Sequence, residues 1–161
     1  MNVTSTARNV RMSPKKVREV TRQIQGMPIA DAQAVLSAIP RKSARLVAKT
    51  LKTAIADAEH IRSEWSEGDV QNRVAEIKQD IENHTKEDGK LHRKYRHLPG
   101  KLARLESYLD SEHKLAEGNL TVREAVVGAA TPLRRWRTRA RGGGSPIIKR
   151  TSHIRITLSD E

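Results

Sequence analysis

Between residues 131 and 150 the chain carries seven basic residues and no acid, and Arg135, Arg137, Arg139 and Arg141 fall on alternate positions. Successive side chains of a strand point to opposite faces, so extended backbone would line these four guanidinium groups in one row about 6.7 Å apart. Arg134, Trp136, Thr138 and Ala140 would take the other face. Gly142-Gly143-Gly144-Ser145-Pro146 follows and reads as a turn, after which Ile147, Ile148, Lys149 and Arg150 lead back. The expected structure is a β-hairpin arm over residues 128–152, about ten residues a side and about 30 Å long. Such a hairpin has no core and is marginal in water, and four like charges in a row weaken it further. Phosphate groups would neutralise the row and order it. Arginine suits that partner, because its planar fork pairs bidentately with phosphate oxygens.

The rest of the chain must supply the folded body. Its 161 residues and 18.1 kDa fit one domain with an appendage. Leu, Ile and Val together number 34 and Phe is absent, so the core is expected to be thin and rich in alanine. Lys plus Arg number 31 against 19 Asp plus Glu, a net charge of +12. That surplus favours a polyanionic partner, with nucleic acid first and an anionic membrane surface second. The charge is uneven: residues 1–60 carry +7, residues 61–118 carry −1 and residues 119–161 carry +6. The middle segment therefore reads as an insertion with its own surface chemistry. Absence of Cys excludes disulfides, thiolate zinc sites and Cys nucleophiles. No apolar run reaches the ~20 residues of a membrane span, and Met1 to Ser5 lack a signal-peptide apolar region.

Three helices and three strands are expected outside the insertion. Ser13-Pro14 is a helix start, Val17, Val20 and Ile24 follow at helical spacing, and Gly26 is a stop. A second helix covers residues 29–39 and ends before Pro40. The third, residues 41–60, places Ala44, Val47, Ala48, Leu51, Ala54, Ile55 and Ala58 in one stripe. Arg41, Lys42, Arg45, Lys49 and Lys52 share its other side, with no acid before Asp57 to pair them. Leu120, Val122 and Val126 alternate with polar or small residues, with Glu124 out of step, and Ile154, Ile156 and Leu158 alternate more cleanly. Residues 3–12 offer a third strand. Three helices on one face of a small antiparallel sheet make an α+β layer architecture.

Trp65, Tyr95, Tyr108 and Trp136 are the only aromatic residues, too few for a single-strand binder built on stacking. Backbone and shape recognition of folded RNA is the expected mode. Two roles are open to Trp136: stacking on a base, or packing on the domain. An enzyme is not indicated, since no Gly-x-Ser-x-Gly, P-loop or metal triad is present and no cofactor is implied.

Several segments together resemble the L-twenty-two family of large ribosomal subunit proteins. Ser13-Pro14-Lys15-Lys16-Val17-Arg18 is similar to its first-helix signature, and residues 51–60 (LKTAIADAEH) to the end of its long third helix. Asn119-Leu120-Thr121-Val122 resembles the start of its next strand. Arg137 to Gly142 and Lys149 to Ile154 resemble the two limbs of its hairpin. The motifs lie in residues 1–60 and 119–161. The resemblance implies a cytoplasmic ribosomal protein that binds large-subunit rRNA, aids subunit assembly and catalyses nothing. Its hairpin would line the nascent-peptide exit tunnel beside the L-four type protein, touching the nascent peptide transiently and lying near bound macrolides. The rRNA contacts it implies are Arg8, Arg11, Lys15, Lys16, Arg18, Arg22, Arg41, Lys42, Arg45 and Lys49 on the body. On the arm they are Arg134, Arg135, Trp136, Arg137, Arg139, Arg141, Lys149, Arg150, Thr151, Ser152 and His153. The tip would comprise Arg141, Gly142, Gly143, Gly144 and Ser145. Family members usually have a basic residue and then Ala where this chain has Gly143 and Gly144, so its tip is expected to be less charged and more flexible.

Residues 61–118 depart from that family, which usually passes from helix to strand in a short loop. Val70, Val74, Ile77 and Ile81, and again Leu98, Leu102, Leu105 and Leu109, step by helical intervals. A helical hairpin is expected, starting near Ser66, turning within residues 85–90 and broken or restarted at Pro99-Gly100. Its mixed charge predicts a solvent-side projection or a contact with a neighbouring protein. His84, His92, His97 and His113 lack i,i+4 pairing for a metal, so ordinary exposed histidines are expected.

Overall fold

A computed structural model of the chain describes residues 1–85, 91–111 and 115–160. The order of elements is β1 (Asn2–Val10), α1 (Pro14–Ile24), α2 (Ile29–Ala38), α3 (Lys42–Glu64), α4 (Glu67–Asn83), α5 (Leu98–Asp110), β2 (Thr121–Thr138) and β3 (Gly144–Ser159). The strands form one antiparallel sheet in the order β1-β3-β2. Helices α1, α2 and α3 pack together, and α1 and α3 cover one sheet face. This is the α+β architecture expected from the periodicities.

The core forms where those periodicities meet. Val17, Val20 and Ile24 of α1, Ala44, Val47, Leu51 and Ala54 of α3, and Ile154, Ile156 and Leu158 of β3 are all buried. Gly26 adopts φ +81°, a left-handed conformation that glycine takes without a Cβ penalty. Its N–H donates to the Val122 carbonyl at 2.7 Å, and the Val122 N–H donates to the Met27 carbonyl at 2.9 Å. The α1–α2 turn is thereby stitched to the root of the arm.

Strand β2 corrects the simple alternation. Its register against β3 shifts between Val122 and Glu124, so Arg123 is an extra residue. After this bulge the inner row is Ala125 and Val127, and Val126 is 43% exposed. The out-of-step Glu124 was the trace of that bulge in the sequence.

The middle segment forms two helices. The compositional boundary at residue 60 lies inside α3, which runs on to Glu64. Trp65 and Ser66 turn the chain. The Ser66 hydroxyl donates to Asp69 Oδ2 at 2.6 Å and accepts from the Asp69 N–H at 3.3 Å, capping α4. Val70, Val74 and Ile77 of α4 pack against Leu98, Leu105 and Tyr108 of α5. Pro99 lies in the first turn of α5, so Pro99-Gly100 restarts a helix. The Tyr108 hydroxyl donates to the Trp65 carbonyl at 3.1 Å and its ring meets Trp65 edge-on, tying α5 to the exit from α3. Of the expected turn at 85–90, residues 86–90 lie outside the described residues.

Candidate nucleic-acid interface

The sheet register determines what the arm presents. Beyond the Ala130–Thr151 pair only β2 and β3 continue, as a two-stranded ribbon. The pairs Leu133–Lys149, Arg135–Ile147 and Arg137–Ser145 put Arg135, Arg137 and Lys149 on one face. The pairs Arg134–Ile148 and Trp136–Pro146 define the other. Arg134, Arg135, Arg137, Lys149 and Arg150 are all exposed. The Thr151 hydroxyl donates to the Thr131 carbonyl at 2.6 Å, which secures the point where the ribbon leaves the body.

The row of four arginines is shorter than its spacing suggests. Strand β2 ends at Thr138, and the reversal occupies Arg139 to Gly143. The Arg139 N–H donates to the Gly143 carbonyl at 2.8 Å, and the Gly143 N–H to the Ala140 carbonyl at 3.3 Å. Arg141 and Gly142 take φ of +58° and +72°, because a reversal this tight needs left-handed residues at its apex. Arg141 therefore leaves the row and sits at the tip. Gly144, Ser145 and Pro146, expected in the turn, begin β3. Arg139 Nε donates to Ser145 Oγ at 2.9 Å, which aligns its guanidinium with the Arg137 side of the ribbon. Trp136 lies across Gly144: a Cβ there would sit 3.3 Å from the indole Cε3. The ring thus packs on its own ribbon yet remains 76% exposed.

The body adds two basic surfaces. Arg41, Lys42, Arg45 and Lys49 line a shallow groove with Pro40 and Leu46. Lys16 and Met12 flank a neighbouring recess beside Arg41, Lys42 and Glu19. Lys15 and Arg22 are exposed on α1, and Arg11 precedes it. Neither α1 nor α3 has an acid in its first turn. Both therefore crowd cations at a pole that already carries positive partial charge. Two of these cations are partly committed within the chain. Arg18 Nη2 donates to the Val127 carbonyl at 3.3 Å, and Arg41 Nη1 lies 2.7 Å from Glu19 Oε2 in an exposed pair.

The second surface is a cleft on the sheet's uncovered face, lined by Arg8, Asn9, Val126, Gly128, His153 and Arg155 among others. His153 Nδ1 accepts from the Asn9 N–H at 3.2 Å, where Asn9 takes φ +53° at a bulge in β1. Arg155 was missed as a candidate contact. Its signal was present, since the alternation that buries Ile154 and Ile156 turns Arg155 outward. By contrast Thr151 and Ser152 are 5% and 0% exposed, so their side chains face the interior and not a partner.

Among the described residues no group of three or more His, Asp or Glu side chains could hold a metal ion, and His113 lies outside them. His84 stacks on Tyr95 with centroids 3.8 Å apart, and His92 Nδ1 accepts from the Lys94 N–H at 3.4 Å. No described helix is long and apolar enough to cross a membrane.

A family model described as ribosomal protein L22p/L17e matches residues 5–86 and 91–159. The chain belongs to that family. The match spans both basic surfaces and the arm, and also α4 and α5. Large ribosomal subunit protein uL22 of Opitutus terrae is 32% identical over 99% of this chain and 96% of that protein. The protein of the same name from Lactobacillus gasseri is 31% identical over 96% of this chain and 89% of its own length. That of Lactobacillus delbrueckii subsp. bulgaricus is 29% identical, covering 96% and 88%. The family is structural and not enzymatic.

Proposed function

We propose that this chain binds large-subunit rRNA through its arm and its two basic surfaces, and that the arm reaches inward to line the nascent-peptide exit tunnel. The chain is a structural constituent of the large ribosomal subunit and shares the ribosome's cytoplasmic location. One observation carries the RNA reading. Arg134, Arg135, Arg137, Lys149 and Arg150 stand exposed on a ribbon with no carboxylate in residues 131–150. Phosphate supplies the missing negative charge and the rigidity that a two-stranded ribbon lacks.

Lys15, Lys16, Arg22, Arg45 and Lys49 extend the same chemistry over the body, joined by Arg8 and Arg155 on the open sheet face. The narrow ribbon suits threading between RNA segments toward the tunnel wall, where the L-four type protein, the growing peptide and a bound macrolide would be its neighbours. Residues 61–118 then form a separate helical appendage on the body.

The test replaces Arg135, Arg137, Arg139 and Arg141 by Ser in cells. Normal folding of the body with depleted chain in mature large subunits is the expected result. Full occupancy and a normal particle profile would overturn the proposal.

A further inference from the structure

The appendage is near neutral as a whole, but its charge is not evenly spread. Residues 92–101 hold Arg93, Lys94, Arg96 and Lys101 and no acid, whereas residues 61–91 carry −3 and residues 102–118 carry −2. All four cations are exposed. None of them pairs with a carboxylate among the described residues, although α4 and α5 form such pairs elsewhere, at Arg73–Glu76 and Lys78–Glu106.

Their position sharpens the point. Arg93 and Lys94 lie in a 3-10 turn that ends at Tyr95, and Arg96 leads directly into α5. Helix α5 begins without a side-chain cap and without an acid in its first turn, and Lys101 stands one turn in. A helix start normally gathers acidic residues, because its free N–H groups and dipole favour negative charge. The other helix of the appendage follows that rule, with Ser66 and Asp69 capping α4. Helices α1 and α3, by contrast, break it in the same way as α5, and both carry cations assigned above to RNA. The turn is also held in place: Tyr95 stacks on His84 of the α4 end, and His97 Nδ1 lies 3.1 Å from the Lys94 carbonyl.

We infer that the end of the appendage, where Arg93, Lys94, Arg96 and Lys101 surround the start of α5, is an additional phosphate-binding site that grips the backbone of folded RNA. It rests on the reading that the chain binds rRNA, and it gives the protein an RNA contact at the far end of its helical hairpin. A mixed-charge hairpin then docks by its end alone, leaving the acidic flanks of α4 and α5 in solvent. Such a contact is insensitive to base sequence and sensitive to salt.

The test measures binding of the full chain to a large-subunit rRNA transcript across a series of KCl concentrations. It compares wild type, R93Q/K94Q/R96Q/K101Q, and R135S/R137S/R139S/R141S. Removing one cation from a phosphate flattens the plot of log affinity against log salt by about 0.9. The slope of the appendage variant should therefore fall by about three, with binding at low salt weaker by about tenfold or more. An unchanged slope for that variant, with a flattened slope for the arm variant, would overturn this site and leave the rRNA reading standing. Unchanged slopes for both would overturn the rRNA reading itself. A wild-type slope combined with absence of the appendage variant from assembled subunits would identify a protein neighbour, and would also overturn the site.

Discussion

The arm and the helical appendage both leave the body as antiparallel pairs, yet they are held by different forces. Between α4 and α5 lie Val70, Val74, Ile77, Leu98 and Leu105, all buried. The surface ions of that pair match within the chain, as at Lys78–Glu106, 3.0 Å apart. The ribbon of β2 and β3 has no such interior: from Arg134 to Thr138 every residue is exposed. Its charges have no internal partners of opposite sign within residues 131–150. An element with its own core can stand in water, whereas one made of paired backbone and like charges needs a counter-charged partner.

That contrast breaks first under loss of charge on the arm. With Arg135, Arg137 and Arg139 replaced by Ser, affinity for an rRNA transcript at low salt should fall about a thousandfold, taking roughly tenfold per charged contact. Thermal unfolding of the body should not move. Loss of body stability in this variant would mean that the arm is structurally integral after all. Next in size is Leu105→Ala, which opens a cavity between α4 and α5 and should cost about 2–5 kcal/mol locally. Hydrogen exchange should accelerate in both helices, while binding by the arm persists. Equal acceleration across the sheet would show that the appendage and body unfold as one unit.

A smaller effect belongs to Asp160, where the two termini of the fold meet. Its buried carboxylate pairs with the Met1 amine and accepts from the Leu115 N–H at 3.4 Å. Burial works to raise its pKa, but the amine's hydrogen bond and charge, with help from the Leu115 N–H and the Ser111 hydroxyl, hold it below the usual aspartate value of 3.8. A depressed carboxylate stabilises the fold above that value, and its contribution fades as pH falls through the lowered pKa. Asp160→Asn should therefore cost about 1–3 kcal/mol at neutral pH, and the difference from wild type should shrink in acid. A difference that stays constant down to about pH 2, below the lowered pKa, would contradict this. Smallest of all, Lys78→Ala removes an exposed pair and should change stability by less than about 1 kcal/mol by urea titration.

Much of this contrast was legible in the sequence. Ile154, Ile156 and Leu158 marked a half-buried strand, the stripe from Ala44 to Ala58 marked the core helix, and the leucines of α5 marked its packing face. Each follows from a period that backbone geometry enforces. What misled was local. An extra residue at Arg123 reversed the faces of the rest of β2, and nothing in its composition marks the bulge beyond the misplaced Glu124. The glycine run drew the expected turn toward Pro146, while the chain reverses around Arg141 and Gly142. Thr151 and Ser152 sit in a basic motif, but their side chains turn inward at the junction of body and arm. Summed charge over 61–118 concealed the cations at the start of α5, because averaging over a hairpin erases the difference between its two ends.

Hydrogen exchange of the arm tests most directly whether RNA supplies its rigidity. Amides of residues 131–150 are read by mass spectrometry in the free chain and in the chain within the assembled large subunit. Near-complete exchange within seconds when free, against lasting protection in the subunit, is the expected pair of results. Equal protection in both states would show a ribbon that stands on its own, and rapid exchange in both would show that no partner encloses it.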